Sequence, residues 1–211
     1  MDISISPKPV GDLPVIDFWF EFGSNYSYLS VMRIEQDAAR AGVRIRWQPF
    51  LLGPLFQSFG WKTSPFILQK EKGEYAWKDM ERQCRKYQIP WRKPSNFPRS
   101  GILALRVALL GVDVPWMAAY CRRVMQLNFA EDRDFDRRDV LFKVLDDLGL
   151  PASDLLDQAV TDDNKQKLRA QTETAFAKGI FGAPTFFVGD EMFWGNDRLD
   201  DALLFCQQSV R

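Results

Sequence analysis

"DFWFEFGSNYSYLSVMRIEQDAARAG", residues 17–42, is the stretch on which the fold turns. Its first part completes the run "PVIDFWFEF", in which Val15, Phe18, Phe20 and Phe22 are interleaved with Ile16 and Trp19. Aromatic and β-branched residues apolar on both faces predict a mostly buried strand over 14–22. The run breaks at Gly23-Ser24-Asn25-Tyr26-Ser27. From 26 to 41, Val31, Ile34 and Ala38 recur at helical spacing, with Arg33, Gln36, Asp37 and Arg40 outward, and Gly42 stops the helix. "VRIRWQPF", 43–50, alternates Val43, Ile45 and Trp47 with polar residues and reads as a second strand, parallel to the first. A β-α-β unit therefore opens the chain.

Outward from this unit the pattern becomes helical. Residues 73–88 put Trp77, Met80, Cys84 and Tyr87 on one face. "GILALRVALLG", 101–111, is a short apolar helix, and Pro115 marks the first turn of the next. Asp136, with Asp139 three residues on, predicts a capped helix over 137–148. "SDLLDQAV" and 162–178 complete the block, which ends at Gly179. "GAPTFFVGDEMFWG", 182–195, then reads as strand, Gly-Asp turn, strand, and a final amphipathic helix starts at Asn196. The order is β-α-β, helices, β-β-α. The fold class is thus α/β and thioredoxin-like, with a thioredoxin-like domain over 12–60 and 179–211 and an all-helical domain inserted over 61–178.

The 211 residues, 46% apolar with 17 Phe and 7 Trp, suffice for a sizeable core. Lys+Arg and Asp+Glu balance at 28 each, so nothing favours nucleic acid or an anionic membrane. The basic stretch "RQCRKYQIPWRK", 82–93, reads as a solvated helix face. No apolar run is long enough to span a bilayer. The first fifteen residues lack a secretory h-region and read as a tail. Cys84, Cys121 and Cys206 are far apart and odd in number, which fits buried free thiols and a cytoplasmic location better than disulfides or a zinc site. Histidine is absent, and with it Ser-His-Asp and Cys-His catalysis and nearly all histidine-based zinc chemistry.

Two places remain where chemistry fits. A helix N-terminus offers unpaired N–H groups and a partial positive charge that stabilise anions, thiolates included. Thioredoxin-like oxidoreductases place Cys-x-x-Cys at this junction; here Ser24-Asn25-Tyr26-Ser27 stands there. Ser24 either caps the helix or donates a hydrogen bond to the sulfur of a ligand, and Ser27 serves the first helical turn. At the other place, Pro184 either starts a strand or follows a cis bond that leaves the Ala183 backbone free to pair with an extended peptide. Asn196 and Asp197 read as a cap and a first-turn carboxylate, or as a grip on a ligand's amino group.

With those residues in view, the chain resembles the 2-hydroxychromene-2-carboxylate isomerases of bacterial aromatic degradation. These are relatives of kappa-class glutathione transferases and, more distantly, of DsbA. The likeness runs through "DFWFEFGSNYSYLS", "WQPFLLGPLFQSFGWKTSP", "KGEYAWKDMERQCRKYQIPW", "FPRSGILALR" and "FGAPTFFVGDEMFWGNDRL". It implies glutathione as cofactor, with Ser24 holding its sulfur and Ala183, before a cis Pro184, pairing with its cysteinyl backbone. It further implies Asn196 and Asp197 on the γ-glutamyl end and Lys72 reaching a ligand carboxylate. The implied reaction is isomerisation of a chromene to a trans-benzylidenepyruvate, with a small-molecule partner and a homodimeric state.

Two departures bear on the substrate. Asn25 replaces the proline of many relatives, and Gly60-Trp61-Lys62-Thr63 replaces Gly-Asn-Lys-Pro, which puts Trp61 at the acceptor pocket. A kappa-like transferase or peroxidase, or a cysteine-less binding module, stays open beside the isomerase.

Overall fold

The computed structural model describes residues 13–209, so the expected N-terminal tail lies outside the described residues apart from its last positions. β1 (Val15–Phe20), α1 (Asn25–Ala41) and β2 (Arg44–Pro49) form the opening unit. Eight helices follow: α2 (Leu52–Ser58), α3 (Pro65–Leu68), α4 (Lys70–Tyr87), α5 (Ile102–Leu110), α6 (Met117–Phe129), α7 (Arg138–Asp147), α8 (Ala152–Ala159) and α9 (Asp162–Ala177). β3 (Thr185–Val188), β4 (Glu191–Trp194), a 3-10 turn (Asn196–Arg198) and α10 (Leu199–Gln208) close the chain. The sheet order is β2-β1-β3-β4. β1 and β2 pair in parallel, with Phe18 opposite Trp47, while β1–β3 and β3–β4 pair antiparallel. The α/β thioredoxin-like fold is as the sequence predicts.

Strand periodicity divides the two faces. Ile16, Phe18 and Phe20 are fully buried, and Phe18 stacks on Phe186 at 5.2 Å and meets Trp47 edge-on at 5.3 Å. The intervening Trp19 joins a second cluster with Phe50, Leu55, Ala175, Ile180 and Phe187. β1 is apolar on both sides because both sides are covered. α1 starts where Ser24, in extended conformation, accepts the Ser27 N–H, and stops at Gly42, whose φ of +63° suits a left-handed cap.

The main buried cluster runs without a break from β1 through α1, α5 and α6 to Phe135, Leu141 and Leu156. Trp77, Met80, Cys84 and Tyr87 all pack against or within it, as their spacing predicts. In the basic stretch the charged residues are exposed, while Trp91 packs on Trp77 and Phe129. The three cysteines are free and buried. Among the described residues no helix is long and apolar enough to cross a membrane.

Several local expectations are corrected. α2 and α3 are absent from the sequence reading, because seven and four residues carry too little period to register. α4 starts at Lys70, not at 73. Pro115 lies before α6, which begins at Met117. Asp136 does not cap α7: it accepts the Ala104 N–H at 2.9 Å and the Ser100 hydroxyl at 3.2 Å, so it caps α5, across 32 residues. Arg33, read as outward, has a side chain only 11% exposed.

The short α3 is held on α4 by a close backbone approach. A Cβ on Gly73 would stand 2.1 Å from the Phe66 carbonyl oxygen, and backbone cannot yield as a side chain does. Gly73→Ala is therefore expected to push α3 off α4, costing about 1–2 kcal/mol. A lowered melting temperature, with faster proteolysis confined to 59–70, checks this; unchanged proteolysis there refutes it.

Candidate functional site

β1 ends at Phe20, and four residues carry the chain to the first turn of α1 at the mouth of a cleft of about 1080 Å³. That is slightly above the usual range of small-molecule sites, about 300–1,000 Å³. The cleft brings together every residue singled out in the sequence: Ser24, Trp61, Lys72, Ala183, Pro184, Asn196 and Asp197. They come from α1, the α2–α3 connection, α4, the entry to β3 and the 3-10 turn.

Ser24 is 7% exposed and does two things at once. Its hydroxyl oxygen accepts the Ser27 N–H at 3.2 Å, which is the capping role, and its proton goes to the Ala183 carbonyl at 2.9 Å. That second bond ties the α1 N-terminus to the Ala183-Pro184 bond, which is cis. The Ala183 N–H has no hydrogen-bond partner among the described residues. Ser27 acts through its backbone; its buried hydroxyl has no described partner. Asn25, 1% exposed and lining the cleft, uses Oδ1 on the Tyr26 N–H and leaves a buried Nδ2 without a described partner.

Asn196 does not take the expected role of capping the last helix. Its Oδ1 accepts from Ser30 Oγ and from Arg33 Nε, each at 3.2 Å, and it opens a 3-10 turn while α10 starts at Leu199. Asp197 follows with an exposed side chain, 3.5 Å from Arg198. Lys72 is exposed in the first turn of α4, and Trp61 packs on Phe56 and Phe59 at 5.7 Å.

Sequence reasoning missed four features of this cleft. Glu21 leaves the sheet and turns its carboxylate onto the Gly23 N–H at 2.9 Å. Burial, aided by Asp136, raises it from 4.5 to about 7, against hydrogen bonds from Gly23 and Ser24. Tyr26 donates to Asp79 at 2.9 Å; burial and that carboxylate push its hydroxyl well up, so it stays protonated. A second cis bond, Phe97-Pro98, lies in the loop fixed by Arg99, which donates to Asp132 at 2.6 Å and to Asn128 at 2.9 Å. Lastly, Arg33 holds Asn196. Glycine is required at 23, beside Glu21, because a Cβ there would meet the Arg99 carbonyl at 2.8 Å.

The fold and site together define a thioredoxin-like protein whose cis-proline site has serine in place of cysteine. Comparison with known proteins agrees. The family described as DSBA-like thioredoxin domain matches residues 15–204. A 2-hydroxychromene-2-carboxylate isomerase from Sphingobium xenophagum is 30% identical over 189 residues, 88% of this chain and 94% of that one. The rat glutathione S-transferase kappa 1 is 22% identical over 200 residues, 88% of each. A solved 2-hydroxychromene-2-carboxylate isomerase superposes with a TM-score of 0.82 at 28% identity, covering 93% of this chain and 98% of that one. The chain belongs to the DsbA-like thioredoxin-domain family, on its 2-hydroxychromene-2-carboxylate isomerase branch.

Proposed function

We propose that the chain is a glutathione-dependent isomerase acting on substrates of the 2-hydroxychromene-2-carboxylate type, with a trans-benzylidenepyruvate as product. The observation that carries the reading is the convergence, in one cleft, of a helix N-terminus headed by Ser24 and an Ala183 N–H without a partner among the described residues, beside a cis proline, with the Asn196-Asp197 turn. The isomerase relatives support the reaction class.

The residues present fit a thiol tripeptide. An extended backbone pairs with the Ala183 N–H, which has no described partner. An amino-acid head meets the amide of Asn196 and the carboxylate of Asp197. A terminal carboxylate meets Lys72. When bound, glutathione supplies the nucleophilic sulfur that a chain without cysteine at this junction lacks.

Ser24 swings its proton from the Ala183 carbonyl toward that sulfur, and the N-terminus of α1 adds the helix dipole's partial positive charge. The unpartnered amide of Asn25 is one residue away and offers a further donor. Phe56, Trp61, Phe66 and Phe97 line the rest of the cleft and suit a flat aromatic substrate from which water is displaced.

Calorimetric titration with reduced glutathione and with S-methyl-glutathione tests the cofactor. Saturable binding weakened by the methyl cap is expected; no binding up to millimolar glutathione sinks the reading. Conversion of 2-hydroxychromene-2-carboxylate, followed with and without glutathione, tests the reaction. Ser24→Ala is expected to lower thiol-dependent turnover about tenfold or more, the value of a hydrogen bond to a charged group. It is expected to leave S-methyl-glutathione binding within twofold of the parent.

A further inference from the structure

Arg33 spends nearly all its hydrogen-bonding capacity on one small part of the cleft wall. Its Nε donates to Asn196 Oδ1 at 3.2 Å and its Nη2 to the Asn196 carbonyl at 2.9 Å. Its Nη1 bridges Asp37 at 2.8 Å and Asp200 at 2.9 Å. The guanidinium carbon lies 4.7 Å from the centroid of the Tyr87 ring, which fixes its plane from the α4 side. A planar fork held on this many sides has little freedom left.

The chemistry of the contact dictates the orientation of Asn196. A guanidinium has donors and no acceptor, so only the amide oxygen of Asn196 is compatible with Arg33 Nε. Ser30 Oγ occupies the other side of that oxygen at 3.2 Å. Both lone-pair directions are used, and the NH2 group is what remains. It has no hydrogen-bond partner among the described residues, yet it is not sealed in: Asn196 lines the cleft, and its Nδ2 is not among the buried atoms left unsatisfied. The next residue is Asp197, whose carboxylate is exposed at the same edge. A donor and an anionic acceptor on adjacent residues match the carboxylate and the ammonium of a free amino-acid head.

We propose that Arg33 is the positioning residue for the amino-acid end of the cleft: by fixing the Asn196 amide it turns the NH2 toward the ligand's α-carboxylate and sets preference for a γ-glutamyl head. The inference rests on the glutathione reading above and concerns one end of that ligand alone. Without Arg33 the amide is held by Ser30 alone, and its NH2 is no longer fixed toward the ligand.

The test is equilibrium binding of glutathione, γ-glutamylcysteine and cysteinylglycine to the parent, Arg33→Met, Asn196→Ala and the double variant. Arg33→Met is expected to lose about tenfold in affinity for the two ligands with a γ-glutamyl head. Cysteinylglycine, which lacks that head, should change less than twofold, a selectivity that a merely structural staple would not produce. The double variant should bind no more weakly than Asn196→Ala alone, since the two act through one amide. Should Arg33→Met not fold, Arg33→Lys keeps the cation, removes the fork, and is expected to show the same selective loss. Equal losses for all three ligands, or none, overturn the inference and leave the glutathione reading standing. A parent that binds glutathione no better than cysteinylglycine overturns it as well. A parent that binds no thiol ligand sinks the glutathione reading itself, and the inference with it.

Discussion

Glu21→Gln unfolds at a higher temperature than the parent at pH 8 and at nearly the same temperature at pH 4.5. The carboxyl sits under the first turn of α1, accepting the Gly23 N–H, with Gly101 pressed against it so closely that a Cβ there would lie 3.3 Å from its Oε1. Burial and the facing carboxylate of Asp136 move it from 4.5 to about 7. The other charged side chain of this corner, Arg99, is already committed to Asp132. Because the folded value lies above the unfolded one, the folded chain holds a proton between pH 4.5 and about 7 that the unfolded chain has released. Stability from this group is complete below 4.5, falls as pH rises, and is gone above about 7. The shift corresponds to roughly 3 kcal/mol at 1.36 kcal/mol per unit. Glutamine keeps an acceptor for the Gly23 N–H and never ionises, so the gain appears only on the alkaline side. For a chain of this size that is on the order of 6–12 °C in melting temperature. Melting curves of both proteins at the two pH values decide it, and an equal difference at both removes Glu21 as the cause.

A carboxyl that stays mostly protonated below about pH 7 also matters for an anionic sulfur. Beneath Ser24 a charged Glu21 would oppose a thiolate, and a protonated one does not. The cleft therefore places its one strongly shifted carboxyl where an ionised group would do most harm to a bound anion. In a chain without histidine, Glu21 is the group near the site whose charge changes around neutrality.

The opening unit was legible because its period is clean. A strand apolar on both faces, a helix with one apolar face and a glycine stop leave one reading, and β1, α1 and β2 appear within two residues of it. The cleft residues were legible in part for a chemical reason. A helix cap and an anion site use the same N–H groups, so the Ser24 motif pointed to this cleft whichever role was meant. What stayed hidden is contact at long range. Asp136 looks like a local cap for the helix that follows it, yet tertiary packing brings α5 closer. Arg33 belongs by spacing to a polar face, but α10 and the 3-10 turn cover that face with acceptors from residues 196–200. Asn196 looks like a cap for the same reason and is claimed by α1 instead. Nothing in the sequence near Glu21 announces that its neighbours are Gly101 and Asp136.

Phe22→Ala is expected to be the more damaging change, because Phe22 joins the sheet to the helical block. Its ring is fully buried and meets Phe20 at 5.4 Å, Tyr120 of α6 at 6.1 Å and Phe135 at 6.2 Å, all edge-on. Its carbonyl accepts the buried Asn128 amide at 3.1 Å, so the backbone is tied to α6 as well. Truncation leaves a cavity between elements held in place by their own packing, and Phe→Ala in such a site costs about 3–5 kcal/mol. Phe22→Leu retains most of the volume and should cost less than half as much. Since the cluster is continuous from β1 to Leu156, the loss should be shared: helix content and tryptophan fluorescence should decay in one coincident transition, at a lower denaturant midpoint. Two separated transitions would mean that the helical block stands apart from the sheet. The functional cost follows from position, since Phe22 is two residues before Ser24 and Gly23 is wedged between Glu21 and the Arg99 carbonyl. When Phe22 no longer anchors that turn, the Ser24 hydroxyl loses its fixed place beside Ala183. Thiol-dependent turnover should then fall in Phe22→Ala even at temperatures where the variant is fully folded.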